Sequence, residues 1–373
     1  MKILALEPHY GGSHKAFLDG WSAASGHEWT VLGLGAYKWK WRMRHGPVTL
    51  ARRAEELLHE SQRWDAVFCS DMLNLAEFRG LAPAALRDVP TVAYFHENQL
   101  TYPVREEDRR DLHFAYTNFT TALAAEQVWF NSAFHRTEFL DALEALLKRM
   151  PDHGHADAVG AIRDKSRVVP VGIEDAPGRT EQRQPGPLRI AWAARWEFDK
   201  NPEDFFAALT ALARRGMNFR LSVLGQAYRT SPACFAAARA EFAERIDHWG
   251  YLDSRRDYLS ALARADVFVS TSNHEFFGIS AVEAARAGTL PVLPMRLAYP
   301  EVFDLDRRPE ARDFFYDGSV ETLTEHLLWL GGRLHNRRWW NERTALARRI
   351  AGRYTWPVLA GDLDRRIARL RAD

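Results

Sequence analysis

The chain has 373 residues, 46% of them apolar, and a formal net charge of +1. That length is enough for two ordinary domains, and the near-neutral charge excludes a general polyanion binder, so any nucleic-acid contact must come from a local patch. Cys69 and Cys234 are the only cysteines, which excludes a disulfide framework or a cysteine metal cluster; with no stretch near the ~20 apolar residues of a membrane span and an opening apolar run stopped by Glu7, a cytoplasmic protein is expected.

Residues 3–7 read as a buried first strand, and His9-Tyr10-Gly11-Gly12-Ser13-His14 as a glycine turn opening a helix. Gly11 and Gly12 allow close backbone approach to a ligand, or simply a tight turn; the pattern is not the dinucleotide fingerprint. Next comes a loop-like stretch, 37–45, in which Lys38, Lys40, Arg42 and Arg44 interleave with Tyr37, Trp39 and Trp41. Such a stretch suits RNA phosphates with stacking on unpaired bases, a phosphorylated lipid headgroup, or the protein's own surface.

Strand-like runs at 29–34, 66–69, 91–95 and 128–130 alternate with helical patterns such as 112–125. This alternation predicts a parallel, doubly wound sheet. Ligands of such sheets bind beyond the carboxyl ends of the strands, which singles out His96-Glu97-Asn98-Gln99 after Phe95, and Asn131-Ser132 after Phe130. An imidazole beside amide side chains there suits sugar hydroxyls or a reacting centre, and equally suits a structural role. Asn118-Phe119-Thr120 matches a glycosylation sequon inside a predicted helix and reads as incidental. The His- and Asp-bearing stretch 152–157 reads as an exposed loop rather than a metal site.

Residues 175–187 are rich in Pro, Gly, Arg and Gln without hydrophobic periodicity, the composition of a linker. The expected domains are therefore 1–174 and 188–354, with a last helix, 355–373, packing back on the first. The strand and helix alternation restarts at 188–193, and two similar α/β units imply a cleft. Arg195 and Lys200 follow the first strand of the second unit; a forked guanidinium and a point-charge ammonium in one loop can hold a diphosphate, or be ordinary loop cations. The stretch 270–288 reads as the end of a strand, a polar turn and a helix. Backbone N–H groups near Phe277, Gly278 and Ile279 would lack intrahelical partners, and the helix dipole adds positive charge, which suits a phosphate. Glu275 precedes the helix and Glu283 lies inside it on a small-residue face, where ribose hydroxyls would satisfy its carboxylate. Alone, the two acids fit a helix start and a surface position equally well. Asp304, Asp306, Asp362 and Asp364 form Asp-x-Asp pairs that read as solvated carboxylates.

Taken together, these residues resemble the retaining glycosyltransferases of the GT-B fold: two Rossmann-like, doubly wound parallel-sheet domains facing a cleft, with two glutamates separated by seven residues. The resemblance implies a nucleotide-sugar donor held by Gly11, Gly12, Arg195, Lys200, Glu275, Phe277, Gly278, Ile279 and Glu283, with no metal and no other cofactor. It makes His96, Arg195, Lys200 and Glu275 the expected catalytic residues. The N-terminal half resembles a narrower group, the tRNA-queuosine mannosyltransferase-like proteins, through Tyr10-Gly11-Gly12-Ser13-His14, Lys38-Trp39-Lys40-Trp41-Arg42, Phe95-His96-Glu97-Asn98-Gln99-Leu100-Thr101-Tyr102-Pro103 and Phe130-Asn131-Ser132-Ala133-Phe134-His135. That implies transfer of mannose from GDP-mannose to queuosine in tRNA, with Lys38, Lys40, Trp41, Arg42, Arg44, Asn98, Gln99 and Asn131 on the acceptor side. The alternatives are a hexosyltransferase with a lipid or polysaccharide acceptor and a sugar-nucleotide epimerase.

Overall fold

The computed structural model describes residues 1–104, 110–176, 178, 183, 185–228 and 231–371. They form two compact units, one made of Met1–Gly172 with Trp356–Asp373 and the other of Ile173–Thr355. Within the stretch read as a linker, residues 177, 179–182 and 184 lie outside the described residues.

The first unit contains β1 (Lys2–Tyr10), α1 (Gly12–Ala24), β2 (Glu28–Gly35), α2 (Trp39–His59), β3 (Ala66–Ser70), α3 (Leu75–Leu81), α4 (Ala84–Arg87), β4 (Thr91–Phe95), α5 (Leu112–Ala124), β5 (Gln127–Phe130), α6 (Ala133–Leu147), α7 (Ala156–Lys165) and β6 (Ser166–Val168). Its six strands pair in parallel in the order β2-β1-β3-β4-β5-β6. Helices cover both faces, so the central strands are apolar throughout rather than alternating. Cys69, Phe95 and Phe130 point to one face, where Leu50, Phe119 and Phe139 pack. Phe68, Tyr94 and Trp129 point to the other, against Phe17 and Trp21 of α1.

The second unit contains β7 (Leu188–Ala193), α8 (Pro202–Arg214), β8 (Phe219–Leu224), α9 (Cys234–Glu241), β9 (Ile246–Gly250), α10 (Arg255–Arg264), β10 (Val267–Val269), α11 (Ile279–Ala287), β11 (Leu290–Pro294), α12 (Tyr299–Val302), β12 (Phe315–Tyr316), α13 (Val320–Gly332) and α14 (Arg337–Gly352). Its parallel sheet has the order β12-β11-β10-β7-β8-β9. In each sheet the connections run outward in opposite directions from one pair of strands, β1 and β3 in the first and β7 and β10 in the second. The crevice at the carboxyl end of such a pair is where open α/β sheets bind ligands.

The last helix, α15 (Trp356–Ala368), belongs to the first unit. Its docking corrects one reading of the sequence: Asp364 is not a solvated carboxylate but accepts hydrogen bonds from Trp21 Nε1, Ser25 Oγ and the Gly26 amide at 2.9, 2.7 and 2.8 Å. Asp304 also differs from expectation, because Arg308 and Arg353 lie 3.2 and 3.0 Å from its carboxylate. Among the described residues no helix is long and apolar enough to cross a membrane.

Candidate active site

In the second unit the ends of β7 and β10 are tied together by backbone. The Asn273 amide donates to Asp199 O at 2.8 Å, and Thr271 Oγ1 lies 3.0 Å from Lys200 O. Lys200 ends a short 3₁₀ turn, and Asn201, in the left-handed region at φ 49°, caps α8 after it. The ammonium is thereby drawn inward: Lys200 is buried, its Nζ 2.9 Å from His274 O, 3.2 Å from Asp199 Oδ2 and 3.4 Å from Glu275 Oε2. Asp199 Oδ2 takes no directed hydrogen bond, so that contact is an ion pair only. Arg195 is more exposed and pairs with Glu197 at 3.2 Å. Burial, and then the charge of Lys200, pull His274 down to about 4, so its imidazole is neutral at physiological pH.

Glu275 precedes α11, whose N-terminal residue, Ile279, follows Gly278. Gly278 adopts φ 88°, and a Cβ there would stand 2.6 Å from Tyr299 Cε1, so both conformation and space require glycine. No side chain caps this helix, which leaves its first amides for a ligand. Phe277 is buried against Tyr354 rather than facing solvent. Glu283 is buried as expected, and a protein group already meets it: Arg255 Nη2 donates to Oε1, while Arg255 Nε donates to Glu174 at 3.0 Å. Burial works against the charge on Arg255, but Glu283 outweighs it and raises the guanidinium pKa.

In the first unit, Gly11 is extended and its missing side chain makes room for Ala36, whereas Gly12 takes φ 53°. His96 sits at the end of β4, buried, with its ring 4.1 Å from His14, 4.7 Å from Tyr94 and 5.2 Å from Phe17. Its amide donates to Asp71 Oδ1 at 3.0 Å, its carbonyl accepts from Asn131 Nδ2 at 2.9 Å, and its Nε2 is buried without a partner. Burial drives the ring well below the ordinary histidine pKa, with the charges of His14 and His135 adding, so His96 is neutral. Burial pushes the Asp71 carboxyl up to about 8 against the pull of His14, which makes it a neutral acid at pH 7.

Of the three amide residues expected to face an acceptor, Asn98 and Asn131 do other work and Gln99 is buried. Asn98 is fully buried, its Oδ1 accepting from the amides of Leu100 and Thr101 to shape the turn. Gln99 is buried and its backbone N–H donates to Asn118 Oδ1 at 2.6 Å, so the sequon asparagine is an internal brace. Asn131 supports His96. Asn98 and Asn131 share one reason: a chain leaving a buried strand must satisfy its own backbone groups first.

The cationic and aromatic stretch is a helix start rather than a loop. Lys38 at φ 51° precedes α2, so Trp39, Lys40, Trp41, Arg42 and Arg44 project from its first turns. Tyr37 and Trp41 are 66% and 62% exposed, enough to leave ring faces open. Arg42 instead anchors the helix, donating to Gly35 O at 2.9 Å, and Arg44 lies over the Phe114 ring of α5. Glu7, His14, Asp71, Asp199 and Arg255 were not singled out from the sequence; the available signal was an acid directly at or after an apolar strand, as in Glu7 and Ser70-Asp71.

Solved structures share this architecture along the whole chain. The chain superposes on sucrose-phosphate synthase from Thermosynechococcus elongatus with a TM-score of 0.72 at 14% identity, covering 100% of both chains. It superposes on Anabaena HepE in complex with UDP and glucose with a TM-score of 0.66 at 16% identity, covering 100% of this chain and 99% of that one. These superpositions define the fold as GT-B. Residues 2–173 match the family model for the tRNA-queuosine alpha-mannosyltransferase N-terminal region, and residues 179–330 match glycosyl transferases group 1. A tRNA-queuosine alpha-mannosyltransferase of Drosophila melanogaster is 35% identical over 314 residues, 81% of each chain. A GDP-mannose-dependent alpha-(1-6)-phosphatidylinositol dimannoside mannosyltransferase of Mycobacterium tuberculosis is 25% identical over 402 residues, 97% of this chain and 95% of that one. The chain belongs to the tRNA-queuosine alpha-mannosyltransferase family.

Proposed function

We propose that this protein is a retaining mannosyltransferase that moves mannose from GDP-mannose to queuosine in tRNA, acting in the cytoplasm without a metal or other cofactor. The observation that carries the reading is the match of residues 2–173 to the tRNA-queuosine family, in the unit that holds His96 and the aromatic start of α2. Lys200, Arg195 and the uncapped amides of α11 support the donor half. As the glycosidic bond breaks, negative charge grows on the outer phosphate, and these donors stabilise it in the part that a metal plays in other enzymes. Glu275 orients the hexose, and Glu283, beside Arg255, receives the ribose hydroxyls. Gly11 and Gly12 let backbone approach the reacting end of the donor, and His96 offers Nε2 to a sugar or acceptor hydroxyl.

Retention normally invites a nucleophilic carboxylate. Among the described residues neither buried acid of the first unit suits that role: Asp71 is held neutral, and both oxygens of Glu7 are taken by His9 and His14. A same-face attack assisted by the leaving phosphate fits better. Tyr37, Trp39 and Trp41 supply stacking surfaces for unpaired bases, with Lys38, Lys40 and Arg44 beside them for phosphates. The test is to incubate the protein with labelled GDP- and UDP-sugars and tRNA from cells with and without queuosine. Label from GDP-mannose only in queuosine-containing tRNA is expected. Transfer to a lipid extract instead, or conversion of the sugar nucleotide without acceptor, would overturn it.

A further inference from the structure

Glu7 on β1 and His14 on α1 take no part in the site as described, yet they are 1% and 6% exposed, and the His14 ring lies against that of His96. Glu7 Oε2 meets His14 Nδ1 at 3.0 Å, and Glu7 Oε1 accepts from the His9 amide at 2.8 Å. A buried ion pair is seldom more stabilising than apolar side chains of the same volume. Stability alone therefore gives no account of a carboxylate and an imidazole here, at the pair of strands from which the sheet diverges. The second observation is the ring of His96, which lies 4.1 Å from that of His14 with an orphaned Nε2.

We propose that Glu7 and His14 form a positioning pair that fixes the orientation of the His96 ring, so that Nε2 meets a substrate hydroxyl. This rests on the reading of His96 given above. Glu7 holds His14 as an imidazolium, and two imidazolium rings cannot share that separation in a buried site without strong repulsion. Burial already keeps His96 neutral and the His14 charge reinforces it, so one ring nitrogen is free to accept. The groups that face this cluster are Glu7, His9 and His14 from β1 and α1, Asp71 after β3, Tyr94 and Glu97 around the end of β4, and His135 from α6. Burial pulls His14 down, but the charge and hydrogen bond of Glu7 outweigh it, with Asp71 and Glu97 adding, and carry it up to about 9. The reciprocal influence of His14 overcomes the effect of burial on Glu7 and holds that carboxyl below its usual range.

The test uses E7Q, the double variant E7L/H14F, which replaces the pair with apolar groups, and H96Q, each checked for a native circular dichroism spectrum. Steady-state transfer and the nitrogen-15 resonances of the His96 imidazole are measured across pH. For E7L/H14F we expect kcat to fall by about a hundredfold with the donor KM unchanged. Burial keeps the His96 ring neutral in that variant as in the parent, but without its neighbours the ring should lose its single orientation and tautomer, so its two distinct nitrogen-15 resonances should move toward an averaged pair; E7Q should move both readouts in the same direction. If H96Q retains the parent kcat, the role of His96 fails and this inference with it. If H96Q is inactive while E7L/H14F keeps both the parent kcat and the parent nitrogen-15 pattern of His96, the positioning pair alone is overturned.

Discussion

Lys200→Met separates charge stabilisation from structural support within one residue. The ammonium lies within 3.4 Å of a carbonyl and two carboxylates, and its side chain is only 10% exposed. Removing it strands Asp199, whose side chain is 3% exposed, whereas Glu275, at 24%, reaches water more readily. Breaking one buried pair costs about 3–5 kcal/mol, and with a single carboxylate fully stranded the lower end applies. At roughly 2–4 °C per kcal/mol for a unit of this size, the melting temperature should fall by roughly 6–12 °C. Separately, loss of a donor aimed at the leaving phosphate should lower kcat by about a hundred- to a thousandfold. The double variant D199N/K200M removes the stranded charge as well, so it should recover most of the melting temperature and none of the rate. Calorimetry and initial rates with labelled GDP-mannose make the comparison. A K200M enzyme with the parent kcat, or a double variant that regains the rate, would refute the assignment.

Glu283→Gln should raise the donor KM by roughly ten- to a hundredfold, the worth of one charge-assisted hydrogen bond, with a smaller effect on kcat; an unchanged KM would remove the ribose from Glu283. Asp364→Ala strips three hydrogen bonds between α15 and the end of α1 and should cost about 2–4 kcal/mol in a denaturant titration, while a loss below about 0.5 kcal/mol, the range of ordinary surface changes, would mean the docking is apolar alone. The stability of the first unit should decline with pH: His14 rises from 6.5 to about 9 on folding, so its contribution is complete below 6.5 and lost by about 9. Asp71 rises from 3.8 to about 8, so it binds a proton that the unfolded chain has released and adds a loss in the same direction. Denaturant midpoints at pH 6.5, 7.5 and 9 read this; midpoints that stay level or rise would contradict it.

Much of the fold was legible because parallel strands covered on both faces are continuous apolar runs, as at 66–69 and 91–95, and because Gly278 marks a helix start without a side-chain cap. The candidate donor residues, Lys200, Arg195 and the acids around α11, carried meaning only as a set, since each alone fits an ordinary loop or helix position. What escaped was the partner of each. Arg255 on Glu283 and His14 on Glu7 join residues far apart or on successive elements, and nothing in either local sequence states that the two will meet. Asn98 misled for the opposite reason. An amide at a strand end looks available, and only the turn geometry reveals that its oxygen is already occupied by Leu100 and Thr101. Lys38 to Arg44 looked like a loop because polar and aromatic residues alternate without a capping acid, whereas the apolar face of α2 that sets its helical form lies further along, at Leu50, Ala51 and Ala54.

Trp356 opens α15, and its ring occupies the space that a side chain at Gly20 or Gly172 would fill, with Phe17 5.5 Å away. On a ribosome the first unit therefore emerges with an open slot in its packing, and the residue that fills it arrives only after the entire second unit has been translated. The nascent first unit should remain an incomplete, aggregation-prone intermediate through that interval. Fusing the segment 356–371 to a chain ending at residue 172 should let the unit fold without waiting.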